Sequence, residues 1–190
     1  MKNWTFPVCL CLALFTLFSR AQEQISISPI NNISTYLAES QTSIIKRTEK
    51  NERHSYLLKA LRATELDEVL DYDGQFTVFA PSNVAFAKLS ELTQERLMDP
   101  KNKKELRAVL SYHIIAGNIS ASKILKAMCR GNGKATFTTV QGDKITATMN
   151  GIDIVLTDIH GNKAKIVSAD SNQCNGVIHE IDSVFLPVKI

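Results

Sequence analysis

The stretch from Phe76 to Phe86, read as FTVFAPSNVAF, constrains the fold more than any other part of the chain. Its first four residues are aromatic or β-branched, which favours a half-buried strand. Pro81 then ends the strand, because it has no N–H to donate to a neighbouring strand. Ser82 follows with a hydroxyl that can cap a helix. The stretch therefore predicts a buried strand, a proline corner and a capped helix, and we interpret its residues as core.

The first 21 residues have the pattern of a secretory signal peptide. A short basic start precedes an apolar run from Phe6 to Phe18, and small residues precede a cleavage point after Ala21. The run is too short to span a bilayer. Residues 22–41 are polar and predict a leader or linker before a domain over 42–188. We expect a secreted product, extracellular or periplasmic, with no transmembrane segment after signal removal.

The charge balance argues against nucleic acid as a partner. The whole chain has 22 basic and 19 acidic residues, a formal charge of +3. Loss of Lys2 and Arg20 with the signal leaves 20 basic residues against 19 acidic ones, a charge of +1. Such a chain lacks the basic excess that binds phosphate backbones.

Cys129 and Cys174 are the two cysteines that follow the predicted signal. In an oxidising compartment we expect them to form a disulfide, with two buried free thiols as the alternative. Neither has the spacing of a metal site, and we expect no metal and no cofactor. Asn32 and Asn118 begin Asn-X-Ser sequons, which would carry glycans if the producing cell is eukaryotic.

The periodicity of apolar residues changes along the domain. Helical spacing covers the segments 43–71, 89–98, 103–113 and 120–130. We expect Thr64 to cap a helix start, and Leu92 and Leu125 to face the core. The second half has a period of two, with hairpin turns at residues 141–143 and 150–151. Helices in the first half and strands in the second predict an α+β domain.

Three segments together resemble the signatures of fasciclin-like domains. Phe76–Phe86 resembles the first signature, Leu110–Gly117 (LSYHIIAG) the central Tyr-His motif, and Asn175–Pro187 (NGVIHEIDSVFLP) the closing signature. They occur in family order and at family distances, and the match covers about Thr42 to Val188. The resemblance implies a wedge-shaped β-sandwich flanked by a bundle of short helices. It also implies a single-domain secreted member of an extracellular family that serves adhesion, matrix assembly and partner binding, and that does not consist of enzymes.

The resemblance also points to Tyr112 and His113 as contact residues, because this motif is the one linked to integrin-type adhesion in animal members. The helical count gives a structural alternative. His113 falls on the same stripe as Leu106, Val109 and Leu110. On that alternative, Tyr112 and His113 are largely buried and local backbone groups satisfy their polar atoms.

The closing signature contains Glu180 where the family usually has an aliphatic residue. A charged side chain is rarely buried without a partner, so we expect Glu180 to face solvent or a partner protein. Alternation along the strand places His179 on the opposite, inner face. We interpret His179 as a core histidine with satisfied ring nitrogens, and Asp182 as an acceptor for backbone or turn groups. In animal relatives the Asp-containing end of this signature is also assigned to integrin contact, which makes Asp182 a candidate contact residue.

These observations predict a non-catalytic secreted adhesion or interaction module. Its partner would be an extracellular protein or a cell-surface partner, and the candidate contact residues are Tyr112, His113, Glu180 and Asp182. The alternative is an extracellular domain that binds a polysaccharide or a lipid. We expect no enzymatic activity, because the sequence offers no convergent serine or carboxylate constellation.

Overall fold

Helices dominate the first half of the chain and strands the second, as the apolar periodicity predicts. The computed structural model describes residues 42–72 and 74–187, so the predicted signal peptide and leader lie outside the described residues. The helices are α1 (Ile44–Glu49), α2 (Ser55–Ala63), α3 (Leu66–Asp71), α4 (Asn83–Ala87), α5 (Glu91–Met98), α6 (Lys103–Tyr112) and α7 (Ala121–Arg130), with 3₁₀ turns at Glu52–His54 and Pro100–Asn102. The strands are β1 (Phe76–Pro81), β2 (Ile114–Ala116), β3 (Lys134–Thr138), β4 (Lys144–Asn150), β5 (Asp153–Thr157), β6 (Lys163–Gln173) and β7 (Gly176–Ile181). Within these ranges no helix combines the length and the apolar character that crossing a bilayer requires. The α+β fold class is confirmed.

The seven strands form one sheet in the order β2-β1-β7-β6-β5-β4-β3. Strands β1 and β7 are parallel, and the other neighbouring pairs are antiparallel. The predicted turns join β3, β4 and β5 as hairpins. The two edges meet where Ile115 of β2 bridges Thr139, and where the Val140 amide donates to the Ile114 carbonyl at 2.8 Å. The sheet therefore curls into a nearly closed barrel, and this is the form that the expected sandwich takes.

Strands β1 and β7 are buried on both faces, and each face belongs to a different core. Val78 and Ala80 of β1, with Ile178 of β7, pack against helices α1 to α6. Phe79 and Ile181 point the other way, into the core that the sheet and α7 enclose. A strand covered on both sides is mostly hydrophobic, which explains why apolar residues dominate the strand of the first signature.

Three local predictions were wrong. Thr64 ends α2 and does not begin α3: its hydroxyl donates to two carbonyls of the preceding turn, both at 3.0 Å. Leu92 and Leu125 are exposed: Leu97 is the residue of α5 that is buried, and Leu125 lies beside the buried Ile124 and Met128 of α7. The short strand β2 was missed because two isoleucines directly after a helix carry no alternating pattern.

Candidate functional site

The first signature fixes the helices against β1 through two polar side chains. Ser82 caps α4 as predicted, because its hydroxyl accepts a hydrogen bond from the Ala85 amide at 3.2 Å. Asn83 reaches the start of α2: it accepts from the Tyr56 amide at 3.0 Å and donates to the Glu52 carbonyl at 2.9 Å. These bonds hold the corner between β1 and α4 in one position relative to α2.

The closing signature begins with Asn175, whose side chain connects two helices, and Gly176, which permits close pairing of β7 with β1. Asn175 accepts from the Ile44 amide at 2.8 Å and donates to the Leu70 carbonyl, which ties α1 and α3 to the start of β7. Gly176 has a φ of +147°, and a Cβ there would lie 1.9 Å from the Phe76 carbonyl oxygen. Glycine therefore lets β7 pair closely with β1 at this position.

His113 connects α6 to the segment that follows β7. Its side chain belongs to the core, with the residue 2% exposed. Nδ1 lies 2.7 Å from the Val109 carbonyl, and Nε2 lies 3.0 Å from the Phe185 amide that donates to it. This network assigns a neutral ring with its proton on Nδ1. Burial lowers the pKa of His113 to about 4, against a smaller opposing effect of the bond to Val109.

His179 is a core histidine with satisfied ring nitrogens, as predicted. It is fully buried on the inner face of β7 and stacks on Phe79 with ring centroids 5.7 Å apart. Nε2 donates to the Ile119 carbonyl at 2.8 Å, and Nδ1 accepts from the Asp170 amide at 3.2 Å. Burial lowers the pKa of His179, and the bond to Ile119 and the charge of Asp170 oppose that effect.

Tyr112 is fully buried beside Phe185, with ring centroids 6.1 Å apart. The Ile159 backbone lies close to its hydroxyl, but within the described residues no group meets hydrogen-bonding geometry with that oxygen. Burial raises the pKa of the phenol. Neither Tyr112 nor His113 offers its side chain to a partner in this structure, so a direct contact role for them stays a prediction without surface support.

The expectation that Glu180 faces solvent is wrong. Its side chain is 8% exposed, because the helical layer covers the outer face of β7. Oε2 lies 3.1 Å from Arg53 Nη2 and 3.4 Å from His54 Nε2. Burial lowers the pKa of His54 and outweighs the opposing charge of Glu180. Arg53 is therefore the charged partner, and it comes from a segment far away in the sequence.

Asp182 follows β7 and is an acceptor for backbone and turn groups, as predicted. Oδ1 accepts from the Lys165 amide at 2.8 Å and from the Ser183 hydroxyl at 3.1 Å. Lys88 Nζ lies 3.7 Å from Oδ2 and donates to the Asp182 carbonyl at 2.6 Å. Burial alone would raise the pKa of Asp182, but these hydrogen bonds and the charges of Lys88 and Lys165 lower it overall.

Glu180 and Asp182 lie on one cleft of about 520 Å³, where the first and closing signatures meet. The cleft lies between the 3₁₀ turn before α2, the helix α4 and the strands β6 and β7. Its other charged or aliphatic lining residues are Glu52, Arg53, Val84, Lys88 and Val167. Val84 and Val167 are exposed apolar side chains. The structure thus brings together two of the four predicted contact residues and leaves the other two in the core.

Sequence reasoning missed the cations and valines of this cleft. Val84 could have been found, because it falls outside the buried stripe of Ala85 and Phe86 and so had to face outward. Arg53 and Val167 had no such signal, since their proximity to Glu180 depends on how separate elements pack.

The predicted disulfide is also wrong for this structure, because both Cys129 and Cys174 are free and exposed. Cys129 is in α7, which packs on β3 and β4. Cys174 lies in the turn between β6 and β7, where its carbonyl accepts from Gln75. Among the described residues, no group of three or more His, Cys, Asp or Glu side chains is arranged to hold a metal.

The two sequons lie in different parts of the chain. Asn118 is partly exposed, and its side-chain nitrogen is 3.4 Å from Gln75 Oε1, a weak contact that a glycan would replace. Asn32 lies outside the described residues.

Known proteins resemble this chain in sequence and in fold. The Fasciclin domain family model matches residues 52–187. Protein sll1483 of Synechocystis sp. is 36% identical over 155 residues, a match that covers 82% of this chain and 79% of that protein. Human periostin is 34% identical over 165 residues, a match that covers 83% of this chain and 17% of periostin.

A solved FAS1 domain pair from the insect cell adhesion molecule fasciclin I superposes with a TM-score of 0.67 at 19% identity. The match covers 76% of this chain and 51% of that structure, so the chain spans about half of the pair. The family match covers the three signatures, and the solved structure shares the fold that they build. The chain belongs to the fasciclin domain family.

Proposed function

We propose that this chain is a non-catalytic, exported adhesion module that binds an extracellular protein through the cleft beside Glu180 and Asp182. The observation that carries the proposal is the lining of that cleft, where two exposed valines lie beside the ion pairs Arg53–Glu180 and Lys88–Asp182. Apolar side chains bordered by charged ones are typical of surfaces that contact other proteins.

The position of the signature residues supports the same conclusion. Asn175, Gly176, His113 and His179 serve the interior of the domain through the contacts described above. A partner must therefore contact other side chains of the signatures, those that are exposed. Val84 is one of them, and it lines the cleft. Fasciclin I, which shares the fold, is named as a cell adhesion molecule.

A catalytic role has no support from the two signature histidines. Each ring nitrogen of His113 and His179 contacts a backbone group. A general base must have a nitrogen within reach of a substrate proton, and neither ring offers one. We therefore propose binding without chemistry.

The test immobilises residues 22–190 and measures how much cell and matrix material of the producing organism the protein retains. Val84→Asp/Val167→Asp places two charges in the cleft and should reduce retention at least about tenfold, as expected when a hot spot loses more than 1.4 kcal/mol. Val140→Asp is the matched control, because Val140 is 49% exposed and Val167 is 48% exposed, and Val140 is not part of the cleft. All variants should melt near the wild-type temperature.

Equal retention by the cleft variant and the control variant would contradict the proposal. Protease treatment of the target material identifies the class of partner, because retention on a protein must disappear with it. Retention that survives protease, and is lost when polysaccharide or lipid is removed, would favour the alternative of a glycan or lipid ligand.

A further inference from the structure

The side chain of Glu180 is 8% exposed, and one of its two carboxylate oxygens has no protein partner among the described residues. A buried ionised group normally accepts several hydrogen bonds. Among the described residues, the contacts of this carboxylate are the two ion pairs of Oε2, at 3.1 Å to Arg53 and 3.4 Å to His54. Neither contact involves Oε1, although Glu180 lines the cleft. One acceptor oxygen of a side chain that is more than nine-tenths buried is therefore left for a further donor.

The two present partners hold Glu180 weakly. Arg53 has a side chain that is 66% exposed, so this ion pair is screened by water. His54 Nε2 is buried and has no hydrogen-bond partner of standard geometry among the described residues. Its Nδ1 lies 3.1 Å from Asn51 Nδ2, which donates to it and leaves the ring proton on Nε2, toward Glu180. Oε2 of Glu180 therefore contacts a neutral donor, His54, on its buried side and a cation, Arg53, on its solvent side. Another cation can replace Arg53.

The rest of the cleft fits a cation on an aliphatic stem. Its lining has the carboxylates of Glu52, Glu180 and Asp182 against the cations of Arg53 and Lys88, an excess of one negative charge. Val84 and Val167 supply exposed apolar surface beside these charges. Arginine combines a methylene stem with a planar fork of five N–H donors that suits carboxylate oxygens.

We propose that the occupant of the cleft is an arginine-bearing segment of the partner protein, whose guanidinium binds the Glu180 carboxylate while its stem packs on Val84 and Val167. This inference rests on the proposed function, since it names the chemistry of the partner at the same cleft. Arg53 is then an internal competitor for Glu180, and the arriving arginine displaces it.

The probe is a capped pentapeptide, acetyl-Ala-Val-Arg-Val-Ala-amide, titrated against methyl-labelled residues 22–190 by NMR. The arginine peptide should shift the methyl signals of Val84 and Val167 and leave those of Val140 in place. A peptide with citrulline at the centre keeps the shape without the charge and should bind at least about fivefold more weakly. A peptide with glutamate at the centre should give no shift at these methyls.

Two variants carry opposite expectations. Glu180→Gln should weaken the arginine peptide by at least about fivefold, because it removes the carboxylate. Arg53→Gln should tighten it by about two- to fivefold, because it removes the competitor. Thermal melts identify a variant that fails to fold, and for such a variant the citrulline comparison in the wild type decides the outcome.

The following results would overturn the inference: equal binding of the arginine and citrulline peptides, preference for the glutamate peptide, loss of binding in Arg53→Gln, or no shift with any peptide. Failure of the proposed function is a separate result: the Val84→Asp/Val167→Asp variant would then retain as much partner material as the wild type. If retention depends on the cleft but the peptides bind equally whatever their charge, the cleft is still the binding surface and arginine is not its occupant.

Discussion

Acid should weaken this fold through His113, whose ring is neutral and enclosed at neutral pH. An imidazole in an unfolded chain has a pKa of about 6.5, whereas burial lowers the pKa of His113 in the folded chain to about 4. Between these values the unfolded chain binds a proton that the folded chain does not. The free energy of unfolding therefore falls as the pH falls. The contribution of His113 is fully present above pH 6.5 and is lost as the pH approaches 4.

The expected effect is large beside the total stability of a domain. Between pH 7 and pH 4.5, His113 alone should remove about 2 kcal/mol, with a slope that approaches about 1.4 kcal/mol per pH unit. Burial also lowers the pKa of His54 and of His179, so their contributions have the same sign. Domains are stable by about 5 to 15 kcal/mol, so mild acid should shift the unfolding midpoint visibly.

The variant His113→Asn isolates this contribution. Asparagine retains a donor for the Val109 carbonyl and does not titrate, but it leaves the Phe185 amide without an acceptor, at a cost of about 1 to 3 kcal/mol at pH 7. Urea unfolding of residues 22–190 from pH 7 to pH 4.5 should give the variant a slope that is lower by about 1 kcal/mol per pH unit. His160→Asn is the control for the substitution itself, because His160 is exposed at the turn between β5 and β6.

Equal pH slopes for the wild type and His113→Asn would refute this reasoning. So would an NMR titration in which the His113 ring gains its proton near pH 6.5 while the domain is still folded. Either result would mean that water reaches the ring, and that the two backbone contacts do not hold it in the neutral form.

Three further predictions concern the interior and the thiols. Gly176→Ala should destabilise the domain by more than about 3 kcal/mol in urea unfolding, because its Cβ would lie 1.9 Å from a backbone oxygen of β1. Gly142→Ala is the control: Gly142 also has a positive φ but meets no atom within 4 Å, so this variant should lose about 1 to 2 kcal/mol. Equal losses in the two variants would disprove the clash. Cys129 and Cys174 should both react with a thiol reagent in the native protein, and an intact mass two hydrogens below the reduced value would contradict this. Tyr112→Phe should leave the unfolding free energy unchanged or raise it by up to about 1 kcal/mol, because it removes a buried hydroxyl without a partner; a loss above about 2 kcal/mol would show that the hydroxyl is satisfied.

Local chemistry made several features readable from the sequence. The apolar run, proline and serine of the first signature predict a strand, its end and a capped helix, and all three are present. The helical stripe of α6 predicts that His113 is buried, and strand alternation predicts that His179 is on the inner face of β7. These inferences succeed because each depends on residues within one element, where spacing alone fixes direction.

The sequence by itself therefore determined the fold class, the family and the inward direction of His113 and His179. The tertiary structure decided what surrounds each residue from outside its own element. Glu180 is buried because helices cover β7, and its partner Arg53 is near only because the 3₁₀ turn Glu52–His54 lies over that strand. The two thiols are free because they belong to different parts of the curled sheet. Cys129 is in α7, which packs on β3 and β4, whereas Cys174 is in the turn that joins β6 to β7. Periodicity shows which way a side chain points, but the packing of distant segments sets what it meets there.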